Sequence, residues 1–522
     1  MLILGQNLTK SRLSLKQNSA FTIVELLIVI IVIGILAAVV IIGYSNISKQ
    51  AVASTIKADL AQAVKALERY KIYNSDAYPT DQGSAGVKSD SSLTQTYGVS
   101  SDTKSYCLAE TDGQYYSFFV TNAQPTPTQG YCLDTDGVAS TSLLPPNPAT
   151  ATSWTVTQIA GGGSAGGRTA GYADGTGVNA LFTNPNSIAV AADGTIYVLD
   201  ARTLRKINPS TYAVTTIAGS LTASGTAEGG LGTSLITATY GSEQLAVDES
   251  NNVYISGISG SCGGGSGFLL EKVDTSNSLS FVHCFRTYDC SLNIQCRYGA
   301  YPVGSYVKNG KFYFTYAVSS DYYGFIGTYD LSNNHLTALA GCMPTSYTTG
   351  ALAWDAGNGP GLTSGCFNNT GASIVINGHG TDARIGGYVP RDSTVDSNGN
   401  VYFYQAGYCL VRKVTPGGDV TTYAGIAGNC SSTDGAYGSS TLFQVYGLSV
   451  DMFGNIYTVC NSSNTGCINK IRMIKPDQSV KTIATVTQNT NYSLYDVAAT
   501  PQGTLYLADR TANTIWKVTP NY

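Results

Sequence analysis

Histidine is scarce in this chain of 522 residues, which has three, at His283, His335 and His379. They are scattered, and no cysteine pair with zinc-like spacing stands beside a second such pair, so a His- or Cys-based metal site has little support. Charged residues are also few, at 12% of the chain with a formal net charge of −4. Because nucleic-acid binding normally requires a basic patch, the composition predicts no nucleic-acid partner.

Two catalytic signatures are also missing. The glycine run at 161–167 lacks the Lys-Ser/Thr ending and the strand–loop–helix context of a phosphate-binding loop, so it predicts a flexible connection. No Gly-x-Ser-x-Gly elbow occurs with a credible order of His and Asp, which removes support for nucleophilic catalysis. The sequence therefore predicts neither an enzyme nor a cofactor.

What the chain has in excess is glycine, with 58 residues, and tyrosine, with 36. This composition is typical of turn-rich β proteins outside the cytoplasm, and the length predicts several domains. All 12 cysteines follow residue 100, and an even number in an oxidising compartment suggests disulfides. Proximity suggests the pairs Cys409–Cys430, Cys460–Cys467, Cys262–Cys284, Cys290–Cys296 and Cys342–Cys366, and Cys107 and Cys132 are the two other candidates.

The amino-terminal region contains Ala20-Phe21-Thr22-Ile23-Val24-Glu25, followed by an uncharged, mostly apolar run over 26–48. That run is long enough to span a bilayer. A secretory signal would have a shorter apolar region closed by a small-residue cleavage motif, and an ordinary anchor would have no reason to keep Glu25. A single acid within an apolar span is a functional hypothesis by default.

This pattern resembles the amino terminus of type IV prepilins and pseudopilins. The resemblance implies a leader over 1–20, cleavage by a prepilin peptidase between Ala20 and Phe21, and N-methylation of Phe21. It also implies that Glu25 pairs with an N-terminal amine during filament assembly. The family usually has Gly before the cleavage site, and this chain has Ala20.

A filament or transmembrane helix is predicted over 21–75, with an amphipathic second half. A small pilin-like region follows over 76–142, where the resemblance implies a Cys107–Cys132 disulfide and two free thiols are the alternative. Asp134 and Asp136 form a weak calcium candidate, for which a plain turn is the alternative. A proline-rich stretch over 143–153 predicts a stiff linker.

After this linker the chain repeats a hairpin made of an apolar strand, a turn and a strand with Tyr. Copies occupy 188–197, 245–254, 393–402, 448–457 and 497–506, with a weaker one at 306–313. A third strand follows most hairpins, then a Thr-rich fourth strand, and Gly-rich connections recur at 174–182, 377–385 and 434–443. Four strands per unit predict a β-propeller. The pattern resembles NHL repeats over 154–522.

Six units are counted, and the last lacks its fourth strand, which Trp154–Ile159 can supply by circular closure. The predicted fold class is therefore an α+β multidomain chain, with a long pilin helix, a small pilin-like region and an all-β six-bladed propeller of four-stranded blades. The repeated strand tyrosines are most simply core. Loop tyrosines, among them Tyr408 and Tyr437, are either routine surface residues or a contact surface.

The resulting hypothesis is a minor pilin-like subunit that displays a propeller for adhesion or surface recognition. Its implied partners are other pilin subunits, the prepilin peptidase, the membrane before assembly, and a protein or carbohydrate ligand. The implied location is the cell membrane, with one membrane-spanning helix, and then the cell surface or pilus. The alternatives are a pseudopilin of a secretion or DNA-uptake system that engages cargo, and a filament-displayed propeller lyase or hydrolase.

Overall fold

The chain divides into two compact units, 1–144 and 145–522, in a computed structural model. The described residues are 55, 59–60, 62–80, 82–86, 94–99, 106–111, 117–121, 147–220, 223, 225, 227–231, 233–236, 243–261, 266–286, 300–318, 324–341, 375–385, 392–460, 466–487 and 494–522. Most of the predicted helix over 21–75 lies outside these residues, as do Ala20, Phe21 and Glu25. Within the described part of the chain, no helix has the length and apolarity needed to cross a membrane.

In the first unit, residues 62–73 are helical. A three-stranded antiparallel sheet follows, with β1 at Thr94–Val99, β2 at Tyr106–Thr111 and β3 at Ser117–Thr121. Leu60 and Leu67 are buried in a cluster with Tyr78 and Leu108. One side of this stretch of chain therefore packs on the small sheet.

The second unit is a six-bladed β-propeller, as predicted. Blade 1 consists of β6 (Pro185–Val190), β7 (Ile196–Asp200), β8 (Thr203–Ile207) and β9 (Ala213–Gly219). Blade 2 consists of β10 (Gln244–Val247), β11 (Val253–Ser261), β12 (Ser266–Val273) and β13 (Leu279–Arg286). Blade 3 consists of β14 (Ala300–Lys308), β15 (Lys311–Val318), β16 (Gly324–Asp330) and β17 (His335–Gly341). Blade 4 consists of β21 (Ser393–Val395), β22 (Val401–Gln405), β23 (Leu410–Val414) and β24 (Asp419–Ala424). Blade 5 consists of β25 (Val445–Val450), β26 (Ile456–Cys460), β27 (Lys470–Ile474) and β28 (Val480–Thr485). Blade 6 consists of β29 (Leu494–Ala499), β30 (Leu505–Asp509), β31 (Thr514–Asn521) and β4 (Ser153–Gly161).

Short elements complete the described secondary structure. The two-residue strands are β5 (Gly175–Thr176), β18 (Val375–Ile376), β19 (Gly378–His379) and β20 (Arg384–Ile385). The 3-10 turns are Gln82–Ala85, Pro148–Thr150, Gly177–Asn179, Gly380–Asp382 and Ala406–Tyr408. β5 and β19 add a fifth edge strand to blades 1 and 4.

Circular closure of the propeller is confirmed. β4 pairs antiparallel with β31, from Thr514↔Gly161 to Asn521↔Ser153, so the first strand of the unit completes the last blade. Six buried hydrophobic clusters each combine residues of two neighbouring blades, including blades 6 and 1. Closure therefore leaves the ring without an open edge between its first and last blades.

The antiparallel order of each blade defines two faces. The turns between the first and second strands lie on one face, here called the turn face, together with those between the third and fourth strands. The opposite loop face carries the loops between the second and third strands, together with the connections from one blade to the next. The chain enters the unit at the turn face, where Asn455 donates to the Asn147 side chain over 2.9 Å.

On the turn face, an aspartate organises the first hairpin turn in three of the blades. Asp451 accepts bonds from the backbone and side chain of Asn455 and, over 2.8 Å, from the Tyr457 hydroxyl. Asp248 and Asp396 make the same contacts in blades 2 and 4. The repeated tyrosines are buried, which confirms the core interpretation for Tyr197, Tyr254, Tyr402, Tyr457 and Tyr506.

The carboxylates of these turns are structural. Burial raises the pKa of Asp451 to about 6, while hydrogen bonds from Asn455 and Tyr457 act in the opposite direction. Every hydrogen bond to the Asp451 carboxylate comes from its own turn and strand, so the repeated aspartate fixes the hairpin.

Buried arginines connect the third strand to the Gly-rich connection in blades 1, 4 and 5. Arg205 donates to the carbonyls of Ala173 and Leu181 and to the Asp174 carboxylate over 2.8 Å. Asp174 in turn accepts from the backbone and hydroxyl of Thr216 on the fourth strand. Arg412 with Asn377 and Arg472 with Asp434 repeat this arrangement. We call it the arginine clamp.

Two disulfides hold the loop face. Cys409–Cys430 joins a loop of blade 4 to the connection that leads to blade 5, with a Cα–Cα distance of 5.4 Å. Cys460–Cys467 closes the loop between β26 and β27, with a Cα–Cα distance of 5.6 Å. The pairings correspond to two of the proximity pairs. Cys132 and the side chain of Cys107 lie outside what the structure describes.

Removing the Cys409–Cys430 disulfide, which closes the longer loop, is expected to destabilise the propeller more than removing Cys460–Cys467. The sequence separations are 21 and 7 residues, and loop-closure entropy then predicts losses of about 3 and about 2 kcal/mol. The double variants Cys409→Ser/Cys430→Ser and Cys460→Ser/Cys467→Ser can be compared by urea unfolding. A larger loss for the second pair would contradict the loop-length argument.

Candidate binding face of the propeller

The loop face is the better candidate for binding because the entering segment lies on the other face. Pro148 is buried at the turn face, and residues Pro148–Thr150 form a 3-10 turn there. The second half of the predicted linker therefore packs on the propeller. The loop face instead carries the two disulfides and the starts of the innermost strands around the propeller axis, a region called the channel mouth here.

At that mouth, the innermost strands of blades 5, 6 and 1 each start with a β-bulge. Bulges redirect side chains at strand ends and are common near functional sites. The residue two positions before the repeated apolar strand is Tyr446 in blade 5, Tyr495 in blade 6 and Asn186 in blade 1. Tyr495 and Asn186 are themselves the unpaired residues of the bulges in blades 6 and 1, whereas in blade 5 the unpaired residue is Gly447, next to Tyr446.

The two tyrosines form a half-buried platform. The ring centroids of Tyr446 and Tyr495 are 5.1 Å apart with an interplanar angle of 53°. The Arg510 guanidinium, from the loop between β30 and β31, lies 4.8 Å from the Tyr495 centroid. Such aromatic and Arg groups combine apolar contact area with hydrogen-bonding capacity, which is typical of recognition surfaces.

Asn186 adds a polar group to this arc. It is 4% exposed, and its Oδ1 has no hydrogen-bond partner among the described residues. A buried acceptor without a partner is costly in a folded protein. Its place at the channel mouth makes it a candidate acceptor for a ligand hydroxyl or amide.

Two acidic residues near the mouth, Asp496 and Asp392, join neighbouring blades. Asp496 accepts from the Ser187 hydroxyl over 2.7 Å and from the Ile188 backbone over 2.9 Å, both on blade 1. Asp392 of blade 4 accepts from the Leu448 backbone of blade 5. Burial raises the pKa of Asp496 to about 6. These carboxylates hold neighbouring blades together.

The histidines lie away from the channel. His283 is on β13 and His335 on β17, which are fourth strands, and His379 is on the edge strand β19. Burial lowers the pKa of His283, whose ring centroid lies 4.5 Å from that of Tyr329. His379 pairs with Asp419 at an exposed position. Within the described ranges, no group of three His, Cys, Asp or Glu side chains could hold a metal ion.

Few of the sequence-predicted site residues can be placed. Ala20, Phe21, Glu25, Asp134 and Asp136 lie outside the described residues. Of the loop tyrosines, Tyr408 is half-buried on the loop face. Tyr437 is 56% exposed in the connection to blade 5.

The tyrosine platform and the arginine clamp were not predicted from sequence. The signal for the platform was the position two residues before each apolar repeat strand, which is Tyr446, Tyr495 or Asn186 and does not follow the apolar pattern of that strand. The signal for the clamp was a third-strand Arg present in the same blades as an Asp-Gly or Asn-Gly connection. Neither sequence signal identifies which residues, distant along the chain, come into contact in the fold.

Comparison with known proteins supplies a family for the amino-terminal region. The model of the prokaryotic N-terminal methylation motif matches residues 15–41. The type IV wide pilus major component PilA4 of Thermus thermophilus is 38% identical over 97 residues, which are 18% of this chain and 73% of that protein. The chain belongs to the type IV pilin family.

A second relative of this pilin is the type II secretion system core protein G of Pseudomonas aeruginosa. It is 37% identical over 67 residues, which are 13% of the pilin chain. The pilin therefore spans about half of that relative's own length, at 46%.

Solved structures resemble the pilin at low sequence identity. A protein of unknown function from Bacteroides thetaiotaomicron is 16% identical with a TM-score of 0.47, over 82% of the pilin and 90% of that chain. A virginiamycin B lyase from Staphylococcus aureus is 10% identical with a TM-score of 0.35, over 70% of the pilin and 98% of that chain.

Proposed function

We propose that this protein is a minor, pilus-associated pilin that presents a β-propeller head for adhesion or surface recognition. Residues 1–20 are removed at the Ala20–Phe21 bond, Phe21 is methylated, and residues 21–75 form the helix that anchors the subunit in the membrane and then packs in the filament. The observation that carries the proposal is a type IV pilin amino terminus joined to a closed propeller.

The size of the head favours a minor subunit at the filament tip. About 370 residues follow the linker, beside a filament helix of about 50 residues. Packing such a head at every position of a filament would be difficult. Immunogold labelling of the propeller on intact cells is expected to mark tips, and labelling along the whole shaft would contradict this placement.

The ligand-binding region is proposed to be the loop-face mouth, with Tyr446, Tyr495, Arg510 and Asn186 as its contact residues. Two half-buried aromatic rings offer flat apolar area, the guanidinium offers a fork of donors, and the amide offers an acceptor. This combination suits a carbohydrate or a protein loop that presents hydroxyl and amide groups.

Replacing Tyr495 by alanine is expected to weaken attachment of intact bacteria to a cell-covered surface by about 30-fold, the effect of losing an aromatic anchor worth about 2 kcal/mol. The matched control is Tyr437→Ala, which removes an exposed tyrosine from the connection to blade 5. Surface amounts of both variants are measured by immunoblot. Equal attachment by the two variants would contradict binding at the channel mouth.

A secretion role is the second candidate because the pilin also matches a type II secretion core protein. In that role the propeller would engage cargo. Deleting residues 151–522 while keeping the amino-terminal part separates the two. Filaments that persist without attachment support adhesion, whereas loss of secreted proteins with normal attachment supports cargo engagement.

A further inference from the structure

Blade 2 is an exception to the arginine clamp. The position occupied by Arg205, Arg412 and Arg472 is defined by strand pairing, since each lies opposite a threonine of the fourth strand. In blade 2 the equivalent pair is Glu271↔Phe281. An acid therefore stands where three other blades have a buried cation.

The connection that receives the arginine is unchanged in blade 2. Gly229 pairs with Leu279 through two backbone bonds, as Gly435 pairs with Val480 in blade 5. The Leu235 amide donates to the Ala227 carbonyl over 2.8 Å, as Thr441 does to Thr433. The loop has the same length and register, so its carbonyls occupy the positions that accept the guanidinium elsewhere.

The acidic partner of the clamp is also kept. Glu228 corresponds to Asp174 and Asp434, and its carboxylate accepts from the Phe281 backbone over 2.5 Å, as those aspartates accept from Thr216 and Thr482. Blade 2 thus combines two carboxylates with two carbonyls of the clamp loop. In blade 5 the Arg472 guanidinium pairs with the Asp434 carboxylate, and in blade 1 the Arg205 guanidinium pairs with those of Asp174 and Asp200.

Glu271 itself is buried and lacks a partner. It is 2% exposed, and its Oε2 has no hydrogen bond among the described residues. Burial, followed by the charge of Glu228, raises the pKa of Glu271 to about 8. The neighbouring charge that acts on it is therefore another carboxylate and not a Lys or Arg.

We propose that blade 2 binds a hard divalent cation of the calcium type, held by the carboxylates of Glu271 and Glu228 and the carbonyls of Ala227 and Leu235. Such all-oxygen sets, with carboxylates, main-chain carbonyls and water, are the ligands calcium prefers. One dication neutralises the two carboxylates, and it replaces the guanidinium that joins the third strand to the connection in the other blades. The site is independent of any ligand at the channel mouth.

The test uses the full chain in detergent, stripped with EDTA and titrated with CaCl2 by calorimetry at pH 8, because protons compete less with the cation for carboxylates as the pH rises. The wild-type chain is expected to bind one more Ca²⁺ than Glu271→Gln, with a dissociation constant of about 10⁻⁴–10⁻³ M or tighter, the range of extracellular modules. Its thermal midpoint is expected to rise with CaCl2, and that of Glu271→Gln is not. MgCl2 serves as the comparison ion.

Two further variants make the result decisive. Glu249→Gln removes an exposed acid of the same blade and is expected to keep the wild-type stoichiometry. Glu271→Arg restores the residue of the other blades and is expected to lose the site while melting in EDTA at or above the wild-type temperature. Equal Ca²⁺ stoichiometry in the wild type and Glu271→Gln would overturn the proposal, and so would a wild-type chain that binds none at 5–10 times this concentration range.

Discussion

Replacing Arg472 by methionine is expected to lower the free energy of unfolding of the propeller by at least about 3 kcal/mol, the lower end of the cost of removing one partner from a buried ion pair. The Arg472 side chain is 2% exposed and donates to the carbonyls of Thr441 and Thr433 and to Asp434. Methionine fills similar volume but removes the arginine donor from three acceptors, of which Asp434 and the Thr433 carbonyl keep bonds from Thr482 and Thr441. The lower end applies because Asp434 is 44% exposed and water can reach it.

Tryptophan fluorescence during urea unfolding measures this loss, because all three tryptophans of the chain lie in the propeller unit. The matched control is Lys481→Met, which removes the same charge from an exposed site on the same blade. A change within about 0.5 kcal/mol is expected for the control. Equal unfolding midpoints for the two variants would show that the arginine clamp contributes little to stability.

The repeat architecture could be predicted because period and turn chemistry are local. Asp451 and Asn455 begin and end a turn, Tyr457 follows in register, and the same spacing recurs in other blades. Closure of blade 6 by β4 followed from one missing strand at the end and one spare strand at the beginning. Strand order in a propeller is nearly sequential, so counting units was enough.

The clamp and the channel mouth could not be predicted because they depend on which blades become neighbours and on how far each side chain reaches. Arg205 meets Asp174 across 31 residues, and Ser187 meets Asp496 across 309. The residue at the clamp position is Arg in three blades but Glu271 in another, so a pattern search treats it as variation. Only strand pairing shows that these residues occupy one equivalent position.

Replacing Glu25 by alanine is expected to leave cleavage at the Ala20–Phe21 bond intact and to reduce incorporation into filaments by roughly 100-fold or more. An acid within an apolar helix is stabilised only if it is paired, and the proposed partner is the N-terminal amine of Phe21 on a neighbouring subunit. Loss of about 3 kcal/mol from a buried pair corresponds to a change of this size.

Processing and incorporation are measured separately, by the mobility of the mature chain and by immunoblots of sheared filaments. Glu25→Gln keeps the shape without the charge and is expected to fail as the alanine variant does, whereas Thr22→Ala, three residues before Glu25, is expected to behave as wild type. Normal incorporation of Glu25→Ala would contradict the ion-pair role. A failure of processing would instead place Glu25 in recognition by the peptidase, since the subunit would never reach the assembly step.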